Sequence, residues 1–237
     1  SVTLYVDSVQ VFNSTTDKVL PDENRMINGF TDYEELTRTR RLIMRSYKLP
    51  GNRLRLLHTN ENRGAVTIDE ERDYHFRYVL EDNFGNRRTY QFIVKGKRQD
   101  IPEYKPEANE MLYWNRTNVI QKPGMELVVP RYYVYEDVPL RTDMRGDSSH
   151  IAFDYILDAG RTPIHSYCDL SIGLRHMPVA DTTKYYIVQK AGKWRSSMGG
   201  KYANGWIKTR VRSLGTFSVD VDTISPQITP IGQGGWR

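Results

Sequence analysis

Residues 199–223, GGKYANGWIKTRVRSLGTFSVDVDT, decide the fold. Small or basic residues alternate with apolar ones, and the stretch ends in two aspartates. Two structures produce such alternation: a basic groove for an anion, or strands that keep one charged face in water. Asn204–Gly205 is the dipeptide of a tight hairpin turn. Beyond it, Ile207, Thr209 and Val211 share one face, and Lys208, Arg210 and Arg212 share the other. After Ser213–Leu214–Gly215, Phe217, Val219 and Val221 share a face opposite Ser218, Asp220 and Asp222. A three-residue loop with Gly215 at the left-handed position sets Val211 against Phe217 and Lys208 against Asp220. A two-residue loop mixes the faces. The expectation is a hairpin with a wet outer face, its cross-strand ion pairs worth a few tenths of a kcal/mol each, and no ligand groove.

The rest of the chain extends this reading. Hydrophobic residues make up 38 % of 237, and mean hydropathy is −0.63, which suits strands with one solvated face. Sixteen Tyr and four Trp favour strands over helices. The start alternates through Val2, Leu4 and Val6, then Val9 and Val11, as a strand pair or one bent strand. A short helix is expected near 32–44, with Thr31 and Glu34 at capping-box spacing and the Leu42–Met44 cluster completing an apolar stripe. Arg38, Arg40, Arg41 and Arg45 read as a solvated helix end rather than an anion site.

Pro50–Gly51 marks a turn. Tyr74, Phe76, Tyr78 and Leu80, the turn DNFGN, then Tyr90, Phe92 and Val94 make the best hairpin of the first half, with Gly85 supplying a positive φ. Residues 101–110 carry Pro102 and Pro106, high charge and no periodicity, so a linker is expected there. Short strands separated by Gly and Pro follow at intervals that suit a β-sandwich. The expected organisation is two tandem immunoglobulin-like β-sandwich modules at 1–100 and 111–225, mostly β with one short helix, and a following segment from 226 to 237.

Composition removes several function classes. The one cysteine, Cys168, excludes an internal disulfide and multi-cysteine zinc patterns. Net charge is +5, with acids and bases interspersed, so no nucleic-acid partner is expected. No apolar run is long enough for a transmembrane segment. The chain contains no P-loop, dinucleotide glycine pattern, Gly-x-Ser-x-Gly elbow or His-Glu-x-x-His.

The remaining candidates are individual residues. His150 and Asp154 form His-x-x-x-Asp, half of a zinc-peptidase motif, but the matching His-x-His is absent. On a strand the pair stands about 13 Å apart, too far to share a metal. Cys168 with nearby His165 suggests a nucleophile pair, yet a small apolar residue in a strand explains it as well. His58, His75 and His176 make no motif, and His75 reads as outward-facing. Asp220 and Asp222, close to Pro226, are candidates to join a calcium site at a domain junction, which needs several more oxygen donors. Aromatic residues offer the more reasonable surface: Trp114, Tyr132, Tyr133, Tyr135, Trp194 and Trp206 are candidates for a glycan-stacking platform, with core packing as the alternative for some. No catalytic, cofactor-binding or metal-ligating residue is expected in this chain.

Several blocks resemble a known family. LYVDSVQVF (4–12), GFTDYEELTRTRRLIMRSYKLPGNRLRLL (29–57), NRGAVTI (62–68) and VLEDNFGNRRTYQFIVKG (79–96) are similar to the region that follows the catalytic domain in lysostaphin-type zinc endopeptidases of Gram-negative bacteria, metallopeptidase family twenty-three. SSMGGKYANGWIKTRVRSLGTFSVDVDTISPQITPI (196–231) resembles the end of the next module there, with VDTISPQI as the hand-over to a further segment. The resemblance implies a non-catalytic accessory region of a periplasmic or otherwise extracytoplasmic, cell-envelope peptidoglycan hydrolase. It implies zinc only in a separate catalytic domain of the same longer polypeptide. Expected partners are that domain and, beyond it, a cell-wall polymer or an envelope protein. No catalytic residue carries over, because the matched region lies downstream of the zinc motifs. The sequons at Asn13 and Asn115 are incidental in a bacterial chain.

Overall fold

A computed structural model describes residues 1–15, 18–103, 105–225 and 227. The fold is mostly β, and all its strand pairs are antiparallel.

Strands β1 (Val2–Val6) and β2 (Val9–Ser14) form a hairpin over Asp7 and Ser8. Both turn residues hold positive φ, 48° and 71°, the twist that a two-residue turn needs to keep its strands paired. β3 (Leu57–Thr59), β4 (Asp73–Glu81) and β5 (Arg87–Lys95) complete a five-stranded sheet ordered β3-β2-β1-β4-β5. The expected hairpin around Gly85 is present, pairing Phe76 with Phe92 and Tyr78 with Tyr90. Leu4, Val6, Phe12 and Tyr74 bury one face of the sheet. Its cover is not a second sheet. Met26 from the 3-10 turn Asn24–Gly29, with Leu49, Leu54 and Leu56 from irregular chain, pack on that face.

The one α-helix among the described residues, α1, spans Tyr33–Thr39, shorter than the expected 32–44. Its cap is Asp32, whose carboxylate accepts from Glu35 N at 3.0 Å, so the capping pair sits one residue later than Thr31–Glu34. Thr31 is buried and bridges to Met44. Thr37 and Thr39 turn their hydroxyls onto the carbonyls of Tyr33 and Glu35, and Arg40 closes the helix at φ 65°. The chain then doubles back, with Asp32 N on Ile43 O and Arg45 N on Phe30 O. Leu42, Ile43 and Met44 are therefore exposed and form no helical stripe.

Residues from 110 onward build the sandwich. Its strands are β6 (Glu110–Leu112), β7 (Asn118–Lys122), β8 (Met125–Val129), β9 (Val138–Arg145), β10 (Asp154–Asp158) and β11 (Cys168–Gly173). They continue as β12 (Tyr185–Ala191), β13 (Trp194–Ser197), β14 (Lys201–Ala203), β15 (Trp206–Val211) and β16 (Gly215–Val221). One sheet runs β13-β12-β16-β10-β9-β6 and the other β14-β15-β11-β8-β7. Leu127, Leu170, Ile172 and Ile207 meet Leu140, Leu157, Ile187 and Phe217 in one core, every one of them fully buried.

The opening stretch is only half as expected. Asn204 and Gly205 do form a two-residue turn, both at positive φ, with Ala203 paired to Trp206. Ile207 and Val211 point inward and Lys208, Arg210 and Arg212 outward. However, β15 and β16 are not partners. β15 pairs with β11, setting Val211 opposite Cys168 and Lys208 opposite Ser171, whereas β16 pairs with β12 and β10. Residues 212–214 carry the chain from one sheet to the other. The two apolar rows meet across the core instead of side by side, a placement with the same alternation as a hairpin. Ser218, assigned to the wet face, is buried and donates to Phe153 O at 3.2 Å. Among the described residues no helix is long and apolar enough to cross a membrane.

Candidate functional site

The chain segment after β8 is apolar on both parities: Tyr133 and Tyr135 on one, Val134 on the other. Both parities are used, in opposite directions. Val134 is fully buried in the sandwich core. Tyr135 leaves the sandwich and enters the core of the first sheet, where it is 3 % exposed. Two glycines make its berth. A Cβ on Gly29 meets the Tyr135 ring at 2.7 Å, and one on Gly51 meets the Tyr135 backbone at 3.0 Å. Gly51 N donates to Tyr135 O at 2.6 Å, which clamps the segment from the other side. Asn52, buried beside it, donates from Nδ2 to Met26 O and accepts Leu54 N, so the berth has its own internal bracing.

The Tyr135 hydroxyl lies 2.7 Å from Arg25 O and 3.0 Å from His165 Nδ1. A carbonyl only accepts, so the single phenolic hydrogen goes to Arg25 O. His165 must then donate from Nδ1, which fixes its neutral tautomer. Burial raises the Tyr135 pKa above its ordinary value, against the pull of Arg25 and Arg53. Burial lowers that of His165, with Arg53 and Arg25 acting in the same direction. Both shifts favour the neutral side chain. Arg53 also reaches across to lie 4.8 Å from the Tyr132 ring centre.

A second feature lies on the first sheet. Beyond its covered part, the apolar face continues as an aromatic ladder. Phe92 stacks on Phe76 at 5.0 Å and contacts Tyr78 and Tyr90 at 6.4 and 5.7 Å. A groove of about 780 Å³ opens beside it between Phe30, Met44, Tyr78, Leu80 and Arg88. Ser46 Oγ and Tyr78 Oη, 2.6 Å apart, stand in its wall. Its lining is mostly apolar.

The residues singled out from sequence are dispersed. Of the six glycan-stacking candidates Trp114, Tyr132, Tyr133, Tyr135, Trp194 and Trp206, only Trp114 and Tyr132 are in ring contact with each other, at 6.0 Å. Guanidinium groups of Arg53 and Arg131 lie over the Tyr132 ring. Tyr133 packs edge-on against His165. Trp194 stands 79 % exposed where β12 turns into β13, and Trp206 starts β15 in the other sheet. Tyr135, counted among the exposed aromatics, is buried. Its signal in the sequence is the doubly apolar segment, which a strand with one wet face does not produce.

His150 is in a loop, not on a strand. Its Nδ1 pairs with Asp147 Oδ1 at 3.0 Å, and Asp154 pairs with Lys190 at 2.6 Å. Hydrogen bonds from Ser149, with one from His150, hold the Asp147 carboxyl below its usual range. Cys168 is buried, and its thiol is pushed up to about 12 by burial, with Asp169 adding to the effect. His165 is engaged with Tyr135 instead of Cys168. His58 on β3, His75 on β4 and His176 in the loop after β11 are all exposed. Asp220 pairs with Arg195 at 3.2 Å and Asp222 accepts Ile224 N, while Pro226 lies outside the described residues, as does most of 226–237. Arg38 pairs with Glu35, and Arg45 donates to Gly29 O. Asn13 lies on β2 and donates to Thr3 Oγ1; Asn115 is exposed. Among the described residues no three His, Cys, Asp or Glu side chains converge as metal ligands.

No curated protein and no solved structure matches the chain. Residues 109–222 match the family model of the Zu5-like domain, a span that begins one residue before β6 and ends one residue after β16, so the match coincides with the sandwich.

Proposed function

We propose that this chain is a non-catalytic accessory region of a cell-envelope peptidoglycan peptidase, holding a separate zinc-bearing catalytic domain at a set position. The observation that carries the reading is the Tyr135 joint. A tyrosine from the sandwich completes the core of the preceding sheet, which supports one stiff arm over two freely jointed units. A stiff arm transmits position, whereas a flexible tether sets only a maximum reach. The resemblance of residues 4–96 and 196–231 to the region downstream of such catalytic domains supports the same role. The zinc, the hydrolytic residues and the extracytoplasmic location belong, on this reading, to the longer polypeptide.

The test is release of new amino groups from purified peptidoglycan, by the chain with and without added zinc. The expected result is none under either condition. Release that rises with zinc and tracks the folded chain overturns the proposal. A second arm uses the longer polypeptide. Tyr135→Ala is expected to leave hydrolysis of a small soluble cross-link peptide intact and to slow hydrolysis of intact sacculi.

A further inference from the structure

Among the described residues β5 is an edge strand of nine residues, and β4 is its only strand neighbour. The other sheet edges are three to five residues long: β3, β6, β7, β13 and β14. Register shows which groups β5 leaves open. Asp82 N donates to Asn86 O and Gly96 N to Arg72 O, so the bonded pairs of this hairpin are the even-numbered residues. Arg87, Thr89, Gln91, Ile93 and Lys95 therefore turn their N–H and C=O groups outward. No register shift interrupts the β4–β5 ladder, and no proline stands in β5. Bulges and prolines are two of the devices that blunt an edge; a third, charge, stands only toward the ends of β5, at Arg87, Arg88 and Lys95. Its middle, Thr89–Val94 in TYQFIV, carries no charge, and Tyr90 and Ile93 are 63 % and 51 % exposed.

We propose that β5 is a docking edge for an extended acidic peptide, which adds to the sheet as a sixth strand. Charge selects the occupant. Residues 86–99 hold five cations, Arg87, Arg88, Lys95, Lys97 and Arg98, and no carboxylate. Among the described residues Arg87 pairs with Glu81, while Arg88 and Lys95 have no carboxylate within 4 Å. A second copy of the chain is a poor occupant. Laid antiparallel in full overlap, Gln91 faces its counterpart and Arg87 faces the second copy's Lys95 at both ends. Like charges directly opposite destabilise a strand pair. A strand with carboxylates at its ends and apolar or β-branched residues between them reverses that sign. It also lays alternate side chains beside Tyr90 and Phe92 on the groove side.

The probe is a labelled nine-residue peptide of alternating valine and threonine with glutamates at both ends, followed by fluorescence anisotropy against the full chain. Its counterpart carries lysines in place of the glutamates. The glutamate peptide is expected to bind and to weaken with added salt, and the lysine peptide is expected to stay free. Gln91→Pro removes one outward N–H without touching the β4 ladder and should weaken binding about tenfold or more. Arg88→Glu with Lys95→Glu should weaken it similarly and, if the proline variant fails to fold, carries the test alone. Three results overturn the proposal: no binding of the glutamate peptide at low salt, binding unchanged in a folded Gln91→Pro protein, or sedimentation as a dimer that Gln91→Pro dissolves.

Discussion

The hydroxyl of Tyr135 donates to the carbonyl oxygen of Arg25 at 2.7 Å, across 110 residues of sequence. Removing the hydroxyl alone takes a partner from Arg25 O and from the His165 Nδ1–H in a partly buried joint. Tyr135→Phe should cost about 0.5–1.5 kcal/mol, the usual net worth of a hydrogen bond whose partners keep some access to water. Tyr135→Ala also empties the ring's berth and should cost about 3–5 kcal/mol. Scanning calorimetry separates the two. The parent protein and Tyr135→Phe should melt in one transition. Tyr135→Ala should melt in two, because the first sheet loses the side chain that couples it to the sandwich. A single transition in Tyr135→Ala removes the claim of a stiff arm.

Gly51 carries a second prediction. It has an ordinary backbone conformation, so a substitution there is penalised by contact rather than by φ. An added Cβ meets Tyr135 Cα, Tyr135 O and Val134 O, each at 3.0 Å. All three are backbone atoms, which give less readily than a side-chain tip. Gly51→Ala should therefore destabilise by about 1–3 kcal/mol, the cost of overpacking. In the Tyr135→Ala background the contact persists, because the backbone remains. The two effects should accordingly be close to additive in urea midpoints. By contrast, Gly29→Ala clashes chiefly with the ring, with Asn52 Nδ2 at 3.0 Å as a further contact, and should lose most but not all of its cost in Tyr135→Ala.

His165 makes the joint sensitive to acid. Burial, with Arg53 and Arg25, keeps its folded-state pKa below the ordinary 6.5. The unfolded chain therefore takes up the proton first as pH falls. Unfolding becomes proton-linked below about pH 6.5, and stability drops from there until the folded protein also protonates. Stability from this source is complete above pH 6.5, and a basic shift does not affect it. Urea midpoints between pH 8 and pH 5 should fall in the parent protein. His165→Gln, which keeps an N–H donor but does not titrate, should flatten that part of the slope.

How much of this was legible in the sequence depends on what alternation encodes. It reports faces, so the inward rows Ile207–Val211 and Phe217–Val219 and the outward cations were readable. It does not report partners. A row that faces inward is satisfied beside its neighbour or across the core, and β15 and β16 took the second arrangement. The turn at Asn204–Gly205 was readable because both residues tolerate positive φ. The helix was overextended because Leu42–Met44 looked like the next turn of a stripe, while Thr37, Thr39 and Arg40 ended it first. The joint was hidden because its berth is made of absences. Gly29 and Gly51 contribute no side chain, and nothing local says which ring lies over them.

Cys168 should be inert in the folded protein. It is 1 % exposed, and its thiol titrates near 12, so the reactive thiolate is scarce at neutral pH. Labelling by a small alkylating reagent should be slow in buffer and complete in denaturant. In the native protein its rate should follow unfolding as urea is raised. Fast labelling without urea contradicts the packing of β11 against β15.

The partner assignment of Asp220 gives the final prediction. In a β15–β16 hairpin Asp220 faces Lys208; in the structure it pairs with Arg195 at 3.2 Å, and Lys208 lies across from Ser171 and Lys201 in the other sheet. The Arg195–Asp220 pair is partly solvated, which limits its coupling to about 0.2–1 kcal/mol. Two double-mutant cycles distinguish the topologies. Arg195→Ala with Asp220→Ala should show that favourable coupling, reduced by salt. Lys208→Ala with Asp220→Ala should show none, since the two residues lie in opposite layers of the sandwich. A measurable coupling between Lys208 and Asp220, with none at Arg195, restores the hairpin and dissolves the two-sheet arrangement on which the core depends.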